Sequence, residues 1–240
     1  FSYFQNVERL SYSYIKTDPW KFFISSIVKR PWSSAATDYG GSVHDALQDI
    51  LRDDKKLEDF SEEEQKSIQN GLTSLEELKN NHPGFTLVGT EVYKRIPMSS
   101  LTTYNDQDNL LFSGYIDAVF KHDDGIILVD WKTDKNDTRA SEHKRQLAVY
   151  KKMYSILEDI PEDKIKTCII FVALRGGVNT GRYERKIDFG SRDVFGTFEG
   201  HLQKVLEWKN KPDDFIKELV EEPSRDDPLY EIIKDKLTNE

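Results

Sequence analysis

The stretch that decides the fold is LLFSGYIDAVFKHDDGIILVDWK, residues 110–132. Residues 110–120 form a mainly apolar run that is typical of a β-strand, and a second apolar run covers residues 126–131. Between the two runs, the residues HDDG at 122–125 are typical of a tight turn. The stretch therefore predicts a β-hairpin. In that hairpin, residues whose numbers sum to 247 lie opposite each other, unless a bulge at Gly125 shifts the register by one.

Two acidic residues interrupt the apolar strands of this hairpin, and the predicted register places Asp117 opposite Asp130. Side chains alternate along a strand, so Lys132 projects from the same side as Asp130. Opposed carboxylates repel each other. A divalent cation such as Mg²⁺ or Mn²⁺ would offset that cost, with the backbone carbonyl of Trp131 as a further oxygen ligand. An ordinary salt bridge at the strand ends is the alternative interpretation of these charges.

Helical and strand patterns surround the hairpin. Asp18 and Pro19 predict a helix start, and Ser61 with Glu64 predicts a capping box. Helices are expected at residues 42–52, 61–80, 137–157 and 192–210, and further strands at 85–97, 166–175 and 182–189. This order predicts an α/β fold with a mixed central sheet flanked by helices and preceded by a helical segment.

The chain of 240 residues carries a net charge of −9, and two acidic segments account for the excess. Residues 54–64 and 212–240 are strongly acidic, and the remainder is close to neutral. The charge balance thus permits a nucleic-acid partner without requiring one. Apolar runs are too short to span a bilayer, so no membrane association is expected. The single cysteine, Cys168, excludes an internal disulfide and favours an intracellular, cytoplasmic setting.

Several short motifs follow one another along the chain. They are LSYS at residues 10–13, DPWKF at 18–22, GSVH at 41–44, GYID at 114–117, VDWKT at 129–133 and QLAVY at 146–150. In this order and spacing the motifs resemble those of the RecB-like exonuclease branch of the PD-(D/E)xK nuclease superfamily. The resemblance runs from about residue 10 to residue 174 and implies a restriction-endonuclease-like core. A nuclease domain is accordingly expected over residues 1–211, with its helical part at 1–80, its sheet core at 85–190 and a partly ordered acidic tail at 212–240.

The resemblance also implies roles for individual residues. It implies that Asp117 and Asp130 bind the metal, that Lys132 is the catalytic lysine, and that His44 is an additional ligand beside the Trp131 carbonyl. Gln146 and Tyr150, one helical turn apart, would position the site or contact the substrate backbone. Glu91 resembles an acidic position of the strand before the hairpin.

Two of these residues have simpler interpretations. His44 lies beside Leu47 and Leu51, so it also fits a structural histidine on a helix face. Tyr150 lies on the apolar stripe of its helix and fits a core residue. The other histidines receive no role.

The implied activity is a Mg²⁺- or Mn²⁺-dependent deoxyribonuclease, an exonuclease or end-processing enzyme acting on single-stranded DNA or duplex ends. Repair, recombination and mobile-element or phage biology are its expected settings. The alternative is a catalytically silent module that binds DNA or serves as a scaffold in a larger complex. In either case the acidic segment 212–240 is a candidate surface for a protein partner.

One departure from the family pattern concerns iron–sulfur clusters. Many relatives of this branch hold such a cluster through four cysteines, one just before the early proline and three near the carboxyl end. Here Asp18 occupies the early position and the downstream cysteines are missing from the sequence. Because thiolates hold such clusters, no iron–sulfur cluster is expected. The missing cysteines either exclude the cluster-bearing subgroup or mark a lineage in which packing by Trp20 and the late aromatic residues replaces the cluster.

Overall fold

The hairpin lies at the centre of a mixed sheet. The structure, a computed structural model, describes residues 8–15, 18–28, 35–103, 110–175, 183–190, 195–221 and 228–238. Within them the strands are β1 (Arg9–Leu10), β2 (Thr86–Pro97), β3 (Leu111–His122), β4 (Gly125–Lys132), β5 (Ile165–Arg175) and β6 (Tyr183–Phe189). The helices are α1 (Pro19–Phe22), α2 (Ala35–Leu51), α3 (Glu62–Asn81), α4 (Met98–Leu101), α5 (Ala140–Glu158), α6 (Phe195–Asn210), α7 (Pro212–Glu221) and α8 (Pro228–Thr238).

Strand order and direction follow from the pairing. Five of the six strands run in the order β1-β3-β4-β5-β6, and the sixth, β2, pairs with β3. Strands β3 and β4 are antiparallel, β4 and β5 are parallel, and β5 and β6 are antiparallel. The connection from β4 to β5 contains α5, as parallel neighbours require a crossover. The predicted mixed α/β architecture is thus confirmed.

The register of the hairpin is also as predicted. The pairs run from His122 opposite Gly125 to Ala118 opposite Val129, so the residue numbers sum to 247 throughout. Gly125 has a φ of 151°, and a Cβ there would lie 2.0 Å from the carbonyl oxygen of Lys164. Glycine is therefore needed at this turn, although it does not shift the register.

The chain packs as two compact units. The first unit contains the described residues of Phe1–Pro31, Pro97–Ser113 and Gly196–Glu240. Its core is aromatic: the Phe22 ring lies 5.5 Å from Trp208 and 5.9 Å from Phe215. Trp20 lies edge-on to Tyr230 at 5.0 Å, which confirms the expected packing of Trp20 with late aromatic residues. Asp18 caps α1 by accepting a hydrogen bond from the Lys21 amide at 2.9 Å.

The second unit contains the described residues of Trp32–Ile96 and Gly114–Phe195. One face of its sheet packs against α2 and α3 in a core that includes Val43, Leu47, Ile68, Val129 and Trp131. The other face packs against α5, where the His143 ring contacts Phe171. Helix α3 begins with the predicted capping box between Ser61 and Glu64. This unit therefore holds the hairpin between layers of helix.

One expectation is wrong. Helix α2 begins at Ala35 and continues through Gly40 and Gly41, whereas the sequence predicts a helix that begins only at residue 42. A glycine costs a helix roughly 1 kcal/mol relative to alanine, but a Cβ at Gly40 would lie only 3.0 Å from Thr133 Oγ1. Close packing of the helix on the end of β4 accounts for the glycine.

The described part of residues 212–240, which are expected to form a partly ordered acidic tail, is helical. It contains α7 and α8. Phe215 and Leu219, one helical turn apart on α7, are both buried, so an apolar stripe stabilises the helix despite its acidic composition. None of the helices among the residues that the structure describes is both long and apolar enough to cross a membrane.

Candidate active site

The predicted catalytic residues converge in the second unit. The Lys132 Nζ lies 2.7 Å from the Asp130 Oδ2, and the side chain of Asp130 is only 8% exposed. Oδ2 of Asp130 is buried, and among the residues that the structure describes its polar contact is this ion pair with Lys132. The last backbone pair of the hairpin is Ala118 with Val129, and Asp117 is the next residue along β3. Continuing the same register places Asp117 opposite Asp130. The two carboxylates and the lysine thus form one cluster.

The side chain of Asp117 is hydrogen-bonded to the backbone of the neighbouring strand β4. Its Oδ2 accepts a hydrogen bond from the Trp131 backbone amide at 2.8 Å. In a regular antiparallel ladder, that amide would donate to a backbone carbonyl of β3. The carboxylate therefore takes the place of a ladder acceptor, and the paired register stops at Ala118 and Val129.

The environment of Asp117 disfavours its charge. Its side chain is 14% exposed. Burial, followed by repulsion from Asp130, raises the pKa of Asp117 to about 6, although His44, Lys132 and the Trp131 amide oppose the rise. His44 reaches the site from α2, with its Nδ1 3.4 Å from the Asp117 Oδ2. Burial and the neighbouring carboxylate thus destabilise the charged form of Asp117 more than His44, Lys132 and the Trp131 amide stabilise it.

Lys132 remains a cation in this setting. Burial alone would lower its pKa, but attraction to Asp130 and Asp117 outweighs burial, so the pKa of Lys132 lies above its ordinary value. A protonated lysine donates hydrogen bonds and positive charge, and it does not accept a proton. Its chemistry here is electrostatic.

Gln146 and Tyr150 also lie at the site, on α5. The Gln146 Nε2 donates to the Tyr150 hydroxyl at 3.1 Å. Burial, with a smaller contribution from Asp130 and Asp117, raises the pKa of Tyr150 to about 12, so the hydroxyl stays protonated. A Cβ at Gly114 would lie 2.6 Å from that hydroxyl oxygen. The glycine of the GYID motif is thus explained by the close approach of the tyrosine.

Two features of the site are not predicted from the sequence. The Nε2 of His143 lies 2.9 Å from the Asp134 Oδ2, which connects the segment after Lys132 to the first turn of α5. This hydrogen bond, assisted by the charges of His143 and Arg139, lowers the pKa of Asp134. The sequence offers one clue to this contact, because Asp134 directly follows the VDWKT motif.

The second feature is an aromatic pair. Tyr93 on β2 and Tyr115 on β3 have ring centroids 4.9 Å apart. Their exposed fractions are 39% and 57%. Tyr115 lies two residues from Asp117 and therefore on the same side of β3.

Glu91, also on β2, has a φ of 49°, a left-handed conformation that costs a non-glycine residue of order 1 kcal/mol.

Comparison with known families assigns the class of this protein. The family model of the PD-(D/E)XK nuclease superfamily matches residues 11–222. The chain therefore belongs to the PD-(D/E)XK nuclease superfamily, and the resemblance seen in the motifs is confirmed.

Similar proteins place the chain within that class. It is 30% identical over 94 residues to one of the subunits of the ATP-dependent helicase/nuclease in Thermoanaerobacter sp. strain X514 and in Thermoanaerobacter pseudethanolicus. The match covers 38% of this chain and 7% of those relatives. A crystal structure of a protein provisionally described as an exonuclease, from Eubacterium rectale, aligns with a TM-score of 0.54 at 14% identity. The alignment covers 85% of this chain and 82% of that one, and it confirms the fold.

Nucleases of this superfamily generally use divalent metal ions, and the cluster fits one in two respects. Asp130 offers a buried carboxylate oxygen whose polar contact among the described residues is Lys132, and burial followed by repulsion from Asp130 raises the pKa of Asp117, which a bound cation would offset. Within the described residues, no three His, Cys, Asp or Glu side chains already form a group able to hold a metal. His44 thus contacts Asp117 without completing a three-residue ligand set.

Proposed function

We propose that this protein is a divalent-metal-dependent deoxyribonuclease that hydrolyses phosphodiester bonds in single-stranded DNA or at duplex ends. The observation that carries this proposal is the cluster of Asp117, Asp130 and Lys132, in which a buried carboxylate oxygen of Asp130 lies 2.7 Å from the lysine nitrogen. Membership of the nuclease superfamily makes phosphodiester hydrolysis the chemistry that suits such a cluster.

Each residue of the cluster has a separate part in this proposal. Asp117 and Asp130 would hold Mg²⁺ or Mn²⁺ together with the Trp131 carbonyl, and His44 would serve as an additional ligand. A divalent cation here supplies polarisation of a phosphodiester oxygen and a lowered pKa for attacking water. Lys132, protonated and 2.7 Å from Asp130, stabilises negative charge that develops on the phosphate.

Gln146 and Tyr150 act as positioning residues in the proposed reaction. The amide of Gln146 orients the tyrosine hydroxyl, and the high pKa of Tyr150 keeps that hydroxyl a donor. A donor at this position holds a phosphate oxygen of the substrate beside the carboxylates. This contact would orient the scissile bond, since small displacements of reacting groups are costly in rate.

The exposed rings of Tyr93 and Tyr115 favour a substrate with unpaired bases. Aromatic side chains bind single-stranded nucleic acid by stacking, at about 1–3 kcal/mol per base. A pair of rings beside Asp117 therefore suits a frayed end or a single strand better than the interior of a duplex. Exonuclease action or end processing of intracellular DNA follows, in repair, recombination or mobile-element biology. The segment 212–240 is the proposed surface for a protein partner.

The test is cleavage of end-labelled single- and double-stranded DNA with Mg²⁺, Mn²⁺ or EDTA. Asp130→Asn and Lys132→Gln should each reduce metal-dependent cleavage by about 100-fold or more. Lys166→Gln, which removes an exposed cation at the start of β5, is the matched control and should cleave as the wild type does. Cleavage that survives both site variants would refute the assignment. DNA binding without cleavage in any metal would instead indicate a silent binding module.

A further inference from the structure

A cavity of about 360 Å³ lies in the second unit beside the carboxylate cluster. Its size falls within the range of roughly 300–1,000 Å³ typical of sites for small organic ligands. None of the proposed catalytic residues lines it. The residues that do line it include Tyr39, Glu63, Thr133, Lys135, Arg175 and Tyr183.

The backbone places this cavity next to the site. Thr133 directly follows Lys132 in the chain. Tyr39 and His44 lie five positions apart on α2, which is about 7.5 Å along a helix axis. The close approach of Gly40 to Thr133 fixes this part of α2 against the end of β4. The cavity therefore borders the residue that follows Lys132 and the helix that carries His44.

One side of the cavity is cationic. The Arg175 amide donates to the Lys135 carbonyl at 3.0 Å, so the two residues that carry the charges are backbone neighbours. Both side chains are exposed. Within the described residues, neither side chain has a carboxylate at ion-pair distance. A phosphate group is the ligand that two such neighbouring cations suit.

The other side is aromatic and carries hydrogen-bond acceptors. The Tyr183 hydroxyl donates to the Glu63 Oε1 at 2.9 Å. The Tyr39 hydroxyl donates to the Glu63 backbone carbonyl at 3.3 Å. Both rings are held in place by these bonds and are only half-buried. Flat rings next to a carboxylate suit a nucleobase, which stacks on the rings and donates from its N–H groups.

We propose that this cavity binds the terminal nucleotide of the strand that is cut, with its phosphate on Lys135 and Arg175 and its base against Tyr39 and Tyr183. The inference rests on the proposed nuclease function and adds the specificity for an end. A cavity sized for one nucleotide makes nucleoside monophosphates the main products, because the scissile bond lies one nucleotide from the strand end.

Direct binding tests the cavity without any cleavage. Thymidine 5′-monophosphate is titrated into the metal-free protein by calorimetry, with thymidine as the probe that lacks phosphate. Arg175→Gln and Lys135→Gln should each weaken monophosphate binding about tenfold. Tyr183→Leu should weaken both probes about tenfold, and Tyr183→Phe should restore binding. Lys166→Gln, the same loss of charge elsewhere on β5, should leave binding unchanged.

Cleavage provides the second readout. In the pocket variants, KM should rise about tenfold with little change in kcat, and the products of the wild type should be mononucleotides. If the pocket variants cleave DNA with unchanged KM and bind the monophosphate as the wild type does, the proposed nucleotide site is wrong. The proposed nuclease function would stand in that case. A wild type that does not cleave removes the nuclease proposal. In that case, saturable binding that the variants weaken still supports a nucleotide site, and no saturable binding overturns it.

Discussion

Replacing Asp117 by asparagine should stabilise the metal-free protein while abolishing its activity. The amide keeps an oxygen that accepts the hydrogen bond from the Trp131 amide, but it removes the buried charge. The pKa of Asp117 rises from 3.8 to about 6 on folding. At about 1.4 kcal/mol per pKa unit, the charged carboxylate costs the folded state roughly 3 kcal/mol, which Asp117→Asn removes.

The sign of the pH dependence follows from proton binding. The folded wild type binds an extra proton between about pH 4 and pH 6, so its stability falls as pH rises through this window. The gain from Asp117→Asn should therefore be full above pH 6 and should vanish below about pH 4, where the wild-type carboxyl is neutral in both states.

The assay is thermal unfolding in EDTA at pH 8 and at pH 3.5. A gain of roughly 3 kcal/mol corresponds to a rise in Tm of about 6–12 °C for a chain of this size. Asp163→Asn, at an exposed carboxylate of the same unit, is the control and should change stability by less than about 0.5 kcal/mol. Added Mg²⁺ should stabilise the wild type and not Asp117→Asn. A variant less stable than the wild type at pH 8, or a gain that persists at pH 3.5, would refute this reasoning.

Three further predictions concern other parts of the fold. In urea unfolding, Gly114→Ala should cost about 1–3 kcal/mol, and it should also reduce cleavage, because its Cβ would overlap the ring of Tyr150. The control is Gly200→Ala, in open space on α6, which should stabilise the protein by about 0.5–1 kcal/mol. Equal losses of stability in the two variants would contradict the overlap. Burial raises the pKa of Cys168, so its thiol should react with a disulfide reagent only after unfolding, and rapid reaction of the native protein would show otherwise. Phe215→Ala should cost about 3–5 kcal/mol in urea unfolding, whereas Ile232→Ala, at an exposed position of α8, should cost less than about 0.5 kcal/mol; similar costs would exclude the aromatic core of the first unit.

The hairpin could be predicted from the sequence because its information is local. Alternation of side chains, a turn signal and the numbering of the turn are sufficient to place Asp117 opposite Asp130, and the pairs from His122 to Ala118 confirm that register. The same holds for the capping box of α3 and for Gln146 with Tyr150, one helical turn apart.

Non-local packing accounts for what the sequence did not predict. The two glycines in α2 favour a loop by propensity, and only contact with Thr133 explains the helix. The ion pair of His143 with Asp134 spans a turn whose geometry no periodicity specifies. The cavity beside the site joins residues as distant in the chain as Tyr39 and Tyr183. Such contacts depend on the packed sheet, which single-residue preferences do not encode.

The carboxylate of Asp117 has a second consequence, which concerns how this site can be lost. Because the side chain stands where a backbone carbonyl would otherwise bond to Trp131, the same residue that carries the charge also keeps two strands from closing on each other. Truncation to alanine would remove the reactive group and its spacer together, whereas the amide removes the charge alone. One codon thus determines both the charge at this position and the spacing of the two strands.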